Sequence, residues 1–317
     1  MTEILTLKYR PANWDEIIGQ DDVVRSFRKV LASGSNHTFL LSGSPGTGKT
    51  TMARIAAAEK GCAPVDIQEV NAANFTSVED MRQIIQSLQY RPLGDSKARA
   101  IILDECQALS KSAWQSLLKP LEEPPKWVYW FLCTTDPSKV PANIQSRCSK
   151  YPFKLVTRPE IREWLAEIAE AEELKLGSTK DDYEAILDQC AKAAQGSPRA
   201  GLVGLGACAG AKDRKAASAL LRASEEIVGS HQLAKALMGN SNWMAVYEIL
   251  DGLKGEPPES VRLVVLNYMS KVIMGGKCKE KDVVKYMAIL EAFSKPFYQS
   301  EGMAPLLLAC GTLLFSE

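Results

Sequence analysis

The sequence predicts an α/β domain built on a parallel sheet with helices on both faces, followed by a small helical domain and then a larger helical one. Three observations carry the prediction. Short apolar runs alternate with helical patterns over the first half of the chain, the rhythm of strands that must be covered on both sides. A glycine-rich loop, Gly43-Ser44-Pro45-Gly46-Thr47-Gly48-Lys49-Thr50, joins one of those runs to one of those helices. Beyond Leu155 the strand-like runs stop and helical spacing takes over. The boundaries that follow are 1–156, 157–222 and 225–317.

In chain order, the strands fall at Phe39–Leu41, Val65–Val70, Ala100–Leu103, Val128–Thr134 and Tyr151–Leu155, each short and dominated by aliphatic, β-branched or aromatic residues. Apolar residues at helical spacing mark Val23–Leu31, Thr51–Glu59, Val78–Leu88 and Ala113–Leu121. Thr157-Arg158-Pro159-Glu160 then opens the helical part, with a proline in the first turn and a Thr-x-x-Glu capping box. Helices are expected at Ile161–Ala171, Asp181–Ala194, Ala200–Ala209, Ala216–Ser224, His231–Met238, Met244–Leu253, Ser260–Met274, Lys281–Phe293 and Ala304–Phe315. Turns separate them at Gly196-Ser197-Pro198, Ser224-Glu225-Glu226, Gly239-Asn240-Ser241-Asn242 and Gly255-Glu256-Pro257-Pro258.

Composition narrows the function classes. The chain has 317 residues, with 38 basic and 38 acidic, so the whole molecule offers no net attraction to a polyanion and any such contact must be local. No apolar run reaches the roughly 20 residues that span a bilayer, and Met1-Thr2-Glu3-Ile4-Leu5 lacks signal-peptide character. The eight cysteines form no C-x-x-C pair, which points to a reducing, cytoplasmic setting without a disulfide framework or zinc site. With only His37 and His231 present, histidine-based catalysis is not expected.

The glycine-rich loop fits G-x-x-x-x-G-K-[ST] between a strand, Thr38-Phe39-Leu40-Leu41, and a helix beginning near Thr51. That setting suits a nucleoside triphosphate. Glycines let the backbone N–H groups from Ser44 to Thr51, Pro45 having none, turn toward phosphate oxygens, Lys49 reaches the outer phosphates, and Thr50 offers a hydroxyl to Mg²⁺. Ala100-Ile101-Ile102-Leu103-Asp104-Glu105 is an apolar strand ending in two carboxylates. Successive strand side chains point to opposite faces, so the acids are expected to divide the work. Asp104 would hold Mg²⁺, and Glu105 would orient and deprotonate the water that attacks the γ-phosphate. Thr135, at the end of another buried strand, would hydrogen-bond that water or the γ-phosphate; the alternative is a threonine that caps the turn into Asp136-Pro137.

Together the loop, Asp104-Glu105, Thr135, Ser146-Arg147-Cys148 and Gly196-Ser197-Pro198-Arg199 stand in the order and spacing of AAA+ clamp-loader ATPases, which the chain resembles. Leu7-Lys8-Tyr9-Arg10-Pro11 and Asp15-Glu16-Ile17-Ile18-Gly19-Gln20 resemble the family's N-terminal adenine-binding box. Leu117-Leu118-Lys119-Pro120-Leu121-Glu122-Glu123-Pro124-Pro125 and Thr134-Thr135-Asp136-Pro137-Ser138-Lys139 look like the gamma/tau branch of bacterial polymerase III loaders, and Ser-Arg-Cys is equally typical of replication factor C small subunits. The resemblance covers residues 1 to 222. It implies an AAA+ domain, a helical lid and a helical oligomerising collar. It implies ATP and Mg²⁺ as cofactors, with Tyr9, Arg10, Pro11, Ile18 and Gly19 around adenine. Arg147 would be an arginine finger acting on a neighbouring subunit's ATP, and Arg199 a second sensor at the γ-phosphate. The implied partners are a sliding clamp, primer–template DNA and further loader subunits in a homo- or hetero-oligomeric ring.

Two departures shape these expectations. The interval between the phosphate loop and Asp104 holds only Cys62, so the four-cysteine zinc module of gamma/tau subunits is missing, as it is from replication factor C and phage loaders. The chain ends at Glu317 without the long tau extension, and both features tilt the expectation toward a phage or reduced loader. Where the family places basic residues against the DNA backbone, this chain has Phe75 and Ser77, leaving Thr76, Arg82, Ser110 and Lys111 as the candidate DNA contacts. The rival readings are another AAA+ DNA-repair or recombination motor and a non-hydrolysing structural loader subunit.

Overall fold

The computed structural model describes residues 4–72, 78–92, 95–239, 241–254, 256–275, 280–297 and 302–315. They divide into two compact units, Met1–Ala217 and Ser218–Glu317. In the first unit the elements run α1 (Leu5–Lys8), α2 (Asp21–Ser33), β1 (Thr38–Ser42), α3 (Lys49–Glu59), β2 (Ile67–Asn71), α4 (Val78–Ser87), β3 (Arg99–Asp104), α5 (Lys111–Glu122), β4 (Val128–Thr134), α6 (Ala142–Gln145), β5 (Ser149–Pro152), α7 (Arg158–Ala171), α8 (Lys180–Ala193) and α9 (Pro198–Ala207). The strands form one parallel sheet in the order β2-β3-β4-β1-β5. Parallel pairing brings the carboxyl ends of β1, β3 and β4 to one edge, where a ligand can meet all three.

The two-residue period of the strands sorts the core into two faces. Phe39 and Leu41 of β1, Ala100 and Ile102 of β3, and Phe131 and Cys133 of β4 pack with Phe27 and Leu31 of α2 and with Met52, Ala53, Ala56 and Ala57 of α3. The alanines let α3 lie close against the sheet, so its first turn stays near the end of β1. Leu40, Ile101, Leu103, Trp130 and Leu132 turn to the other face and meet Met81 and Ile84 of α4 and Trp114, Leu117 and Leu121 of α5. Every residue of β4 is buried, as a strand covered on both faces requires.

Three differences from the sequence expectation have a cause in the structure. β2 starts at Ile67 because Pro64–Asp66 wind into a single 3₁₀ turn. β5 ends at Pro152 because the backbone beyond it is committed elsewhere. The buried Gln20 side chain donates to the Lys154 carbonyl (2.7 Å) and accepts from its N–H (3.2 Å), and Val156 N–H donates to the Gly196 carbonyl (3.0 Å). The turn expected at Ser224-Glu225-Glu226 is absent, for α10 (Arg214–Met238) runs through it unbroken. That stretch has no proline to remove a backbone donor and no glycine. The capping box forms as expected: Thr157 and Glu160 satisfy each other's backbone N–H at the start of α7.

The second unit contains the greater part of α10 with α11 (Trp243–Gly252), α12 (Pro258–Met274), α13 (Glu280–Ala292) and α14 (Ala304–Phe315). Val261, Val265 and Met269 of α12 enter a core with Leu233, Leu237, Val246, Leu250, Ile289, Phe293, Leu306 and Cys310. At Gly229 a Cβ would come 2.7 Å from Leu253, so glycine lets that leucine close on α10. The apolar spacing of α13 does not all become core: Phe293 is buried, whereas Val283, Val284 and Met287 are exposed.

A buried arginine ties this unit together. The Arg262 guanidinium donates from Nε (2.7 Å) and Nη2 (2.5 Å) to Glu259, and from Nη1 (3.0 Å) to the Phe293 carbonyl, while Phe297 N–H donates to Glu259 (2.7 Å). Arg262→Met should therefore destabilise the unit by on the order of 2–3 kcal/mol, the scale of hydrogen bonds to a charged group, measured by denaturant unfolding. The Arg262 partnership pulls the Glu259 carboxyl down from its ordinary 4.5 to about 2. A lowered acid contributes stability that is complete above the ordinary value and is lost as pH falls toward the folded one. The melting temperature of the second unit should consequently fall between about pH 4.5 and 2, and Glu259→Gln should flatten that slope.

Candidate active site

A cavity of about 350 Å³ opens at the carboxyl edge of the sheet. The phosphate loop forms its floor: Pro45, Gly46, Thr47, Gly48, Lys49, Thr50 and Thr51 all line it. The loop holds its turn by its own chemistry. Gly48 sits at φ 103° and Gly46 at φ 74°, backbone conformations that glycine adopts without strain. A Cβ at Gly46 would come 2.3 Å from Ser197 Oγ and 3.1 Å from Arg199 Cβ, so the same glycine lets the start of α9 approach the loop. Thr47 Oγ1 donates to the Ser44 carbonyl (2.8 Å).

Lys49 is the buried cation of the site. Its Nζ donates to the carbonyls of Gly43 (2.7 Å) and Ser44 (2.9 Å), an arrangement in which a phosphate oxygen is a stronger acceptor than either. Burial pushes the Lys49 ammonium below its ordinary range, opposed by the charges of Glu105 and Asp104 nearby. Lys49→Ala should weaken nucleotide binding itself by roughly 10- to 150-fold, the loss of hydrogen bonds from a charged donor; equilibrium titration with a fluorescent nucleotide measures it.

Asp104, the last residue of β3, accepts from Thr50 Oγ1 (3.1 Å), bringing together the two groups expected to hold Mg²⁺. Burial and the neighbouring Glu105 charge push its carboxyl above the ordinary range, a cost that a divalent cation would offset. The expectation that Asp104 and Glu105 point to opposite faces does not hold. β3 ends at Asp104, Glu105 turns into the left-handed region at φ 50°, and both carboxylates face the same cavity. Strand alternation applies only while the strand continues. Thr135 does not line the cavity but lies beside Glu105, donating to its Oε2 (3.1 Å).

Tyr9, Arg10, Pro11 and Ile18 line the other end of the cavity. Gly19 does not; it turns at φ 66° against Val156. Ser44 also lies off the lining, contributing its carbonyl to Lys49. Tyr9 donates to Glu172 (2.5 Å) at the end of α7, and Lys8 pairs with the same carboxylate (2.6 Å). Arg199, one residue into α9, lines the cavity with Arg10 and Arg54. Arg10 is held below its ordinary range, first by burial and then by the like charges of Arg54 and Arg199. Sequence reasoning missed Arg54, Glu69 and Trp164, which also line the cavity, Arg54 pairing with Glu69 (2.6 Å). Only the position of Arg54, one helical turn beyond Thr50, was a signal.

Arg147 is not among the cavity residues. Its guanidinium donates to Glu122 from Nε (3.1 Å) and Nη2 (2.9 Å) and to the Asn143 carbonyl. Arg82 is exposed and pairs with Glu79, Lys111 is exposed at the start of α5, and Ser110 caps that helix by accepting from Ala113 N–H (3.2 Å). Thr76 lies outside the described residues.

This geometry can be set against known proteins. The family model for the DNA polymerase III delta subunit matches residues 65–157, and that for magnesium chelatase subunit ChlI matches residues 13–100. The DNA polymerase III tau/gamma subunit of Haemophilus influenzae is 32% identical over 62% of this chain and 31% of its own length. The gamma subunit of Buchnera aphidicola from Schizaphis graminum is 33% identical over 58% of this chain and 55% of its own length. The chain resembles the clamp-loader ATPases. It spans from just under a third to just over half of the length of these relatives. The fold is AAA+. Two structures of Thermotoga maritima RuvB variants share it, one at TM-score 0.56 and 20% identity over 78% of this chain and 88% of its own, the other at 0.51 and 20% over 96% and 92%. No helix among the described residues is long and apolar enough to cross a membrane.

Proposed function

We propose that this chain is an ATPase subunit of a sliding-clamp loader, which uses ATP binding and hydrolysis to place a ring-shaped clamp on primer–template DNA. The observation that carries the reading is the single cavity in which a phosphate loop, two carboxylates and three guanidinium groups converge. Lys49, Arg10 and Arg199, confined together, favour a polyphosphate, and Thr50 beside Asp104 suits the Mg²⁺ that accompanies it. Tyr9, Arg10, Pro11 and Ile18 would hold adenine, Lys49 and Arg199 the outer phosphates, and Glu105 with Thr135 the attacking water. Arg147 would serve the ATP of an adjacent subunit. Residues 1–156 would be the ATPase domain, 157–222 the lid and 225–317 an oligomerising collar.

Arg82, Ser110 and Lys111 would supply local DNA-backbone contacts, in keeping with a chain of no net charge. The test is ATP hydrolysis measured with a clamp and primer–template DNA added singly and together. Stimulation by both supports loading. ATP-driven strand separation without clamp dependence indicates a motor, and nucleotide binding with no hydrolysis in any assembly indicates a structural subunit.

A further inference from the structure

Gln107 has no part in the phosphate chemistry described so far, yet its side chain touches both groups assigned to the attacking water. It follows β3 in a single 3₁₀ turn, Cys106–Ala108, and is half-buried. Its Nε2 donates to Glu105 Oε2 and to Thr135 Oγ1 (2.8 Å). Its Oε1 accepts from the hydroxyl of the buried Thr134 (2.7 Å).

The Glu105 carboxylate sets the orientation of the amide. Its Oε2 accepts from Gln107 Nε2, and a flipped amide would set two acceptor oxygens against each other. Gln107 Oε1 then faces Thr134, whose Oγ1 also accepts from Asp136 N–H (3.0 Å). The Glu105 backbone has left the strand for the left-handed region. Its Oε2 is held by Gln107 and Thr135 together, leaving Oε1 for another proton.

We infer that Gln107 is a positioning residue that ties the Glu105 carboxylate to the end of β4, so that base and Thr135 meet the γ-phosphate in one fixed geometry. The inference rests on Glu105 being the base. A network of this kind specifies one arrangement, and losing its central member leaves the Glu105 carboxylate held by Thr135 alone.

The experiment compares Gln107→Leu, Gln107→His and Glu105→Gln in the full chain, assembled with whatever subunits and DNA support wild-type hydrolysis. Saturating turnover, KM and equilibrium nucleotide affinity are all measured. Gln107→Leu is expected to lower kcat by about 10- to 100-fold, less than the 10²–10⁴ carried by a general base, with nucleotide affinity changed less than about twofold. Gln107→His keeps an N–H donor and should recover part of the lost turnover. Wild-type kcat in Gln107→Leu beside an inactive Glu105→Gln overturns the inference and leaves the base in place. A loss of kcat matched by an equal loss of affinity, or unrelieved by His, also overturns it, since a merely structural role predicts that result. Wild-type hydrolysis by Glu105→Gln removes the base assignment, and the inference with it.

Discussion

Glu105→Gln is expected to bind ATP as tightly as the wild-type chain and to hydrolyse it more slowly by a factor on the order of 10²–10⁴. The substitution keeps the volume of the side chain and an oxygen that can still accept from Thr135 and Gln107, so the arrangement at the end of β3 survives. What disappears is the ability to take a proton from water. The groups proposed to bind phosphate are elsewhere, on the loop and on α9, and Asp104 keeps its contact with Thr50. Affinity and turnover should therefore separate cleanly in one variant, with affinity read by nucleotide titration and turnover by phosphate release. Hydrolysis at the wild-type rate would assign the base to another group.

Arg147→Ala is expected to cost more, roughly 10³–10⁵ in assembled hydrolysis, the worth of an arginine finger in phosphoryl transfer. Within one chain this guanidinium is bound to Glu122 and the Asn143 carbonyl and does not line the chain's own cavity. Nucleotide binding by the isolated subunit should thus be unchanged by the substitution. The decisive measurement mixes Arg147→Ala chains with Glu105→Gln chains. Each is inactive in a uniform ring, but at a mixed interface one supplies an intact base and the other an intact arginine, so part of the activity returns. If no mixture recovers hydrolysis although assembly is confirmed, Arg147 does not act across the interface.

Local pattern made much of this site legible. The spacing of Gly43, Gly48, Lys49 and Thr50 after a strand has one structural solution, because the glycines and the fixed reach of Lys49 act within a few residues of one another. The period of two in β1, β3 and β4 put the right residues into a two-faced core, and Thr157 with Glu160 marked the start of α7. These are short-range effects, carried by the chain itself.

The rest needed contacts between distant residues. β5 ends where it does because Gln20, far away in sequence, takes the backbone of Lys154. Glu105 turns out of β3, so the alternation that separated it from Asp104 no longer applies and both acids enter one cavity. Gln107 gains its place only when the ends of β3 and β4 lie side by side. Arg54, Glu69 and Trp164 reach the cavity from α3, β2 and α7. By itself the sequence determined the phosphate loop, the paired acids and the strand–helix rhythm, since backbone sterics and hydrophobic period are written in neighbouring residues. The tertiary structure decided which way the base points, what holds it and which cations share its cavity, since those depend on hydrogen bonds and charges between segments that only the folded sheet brings together.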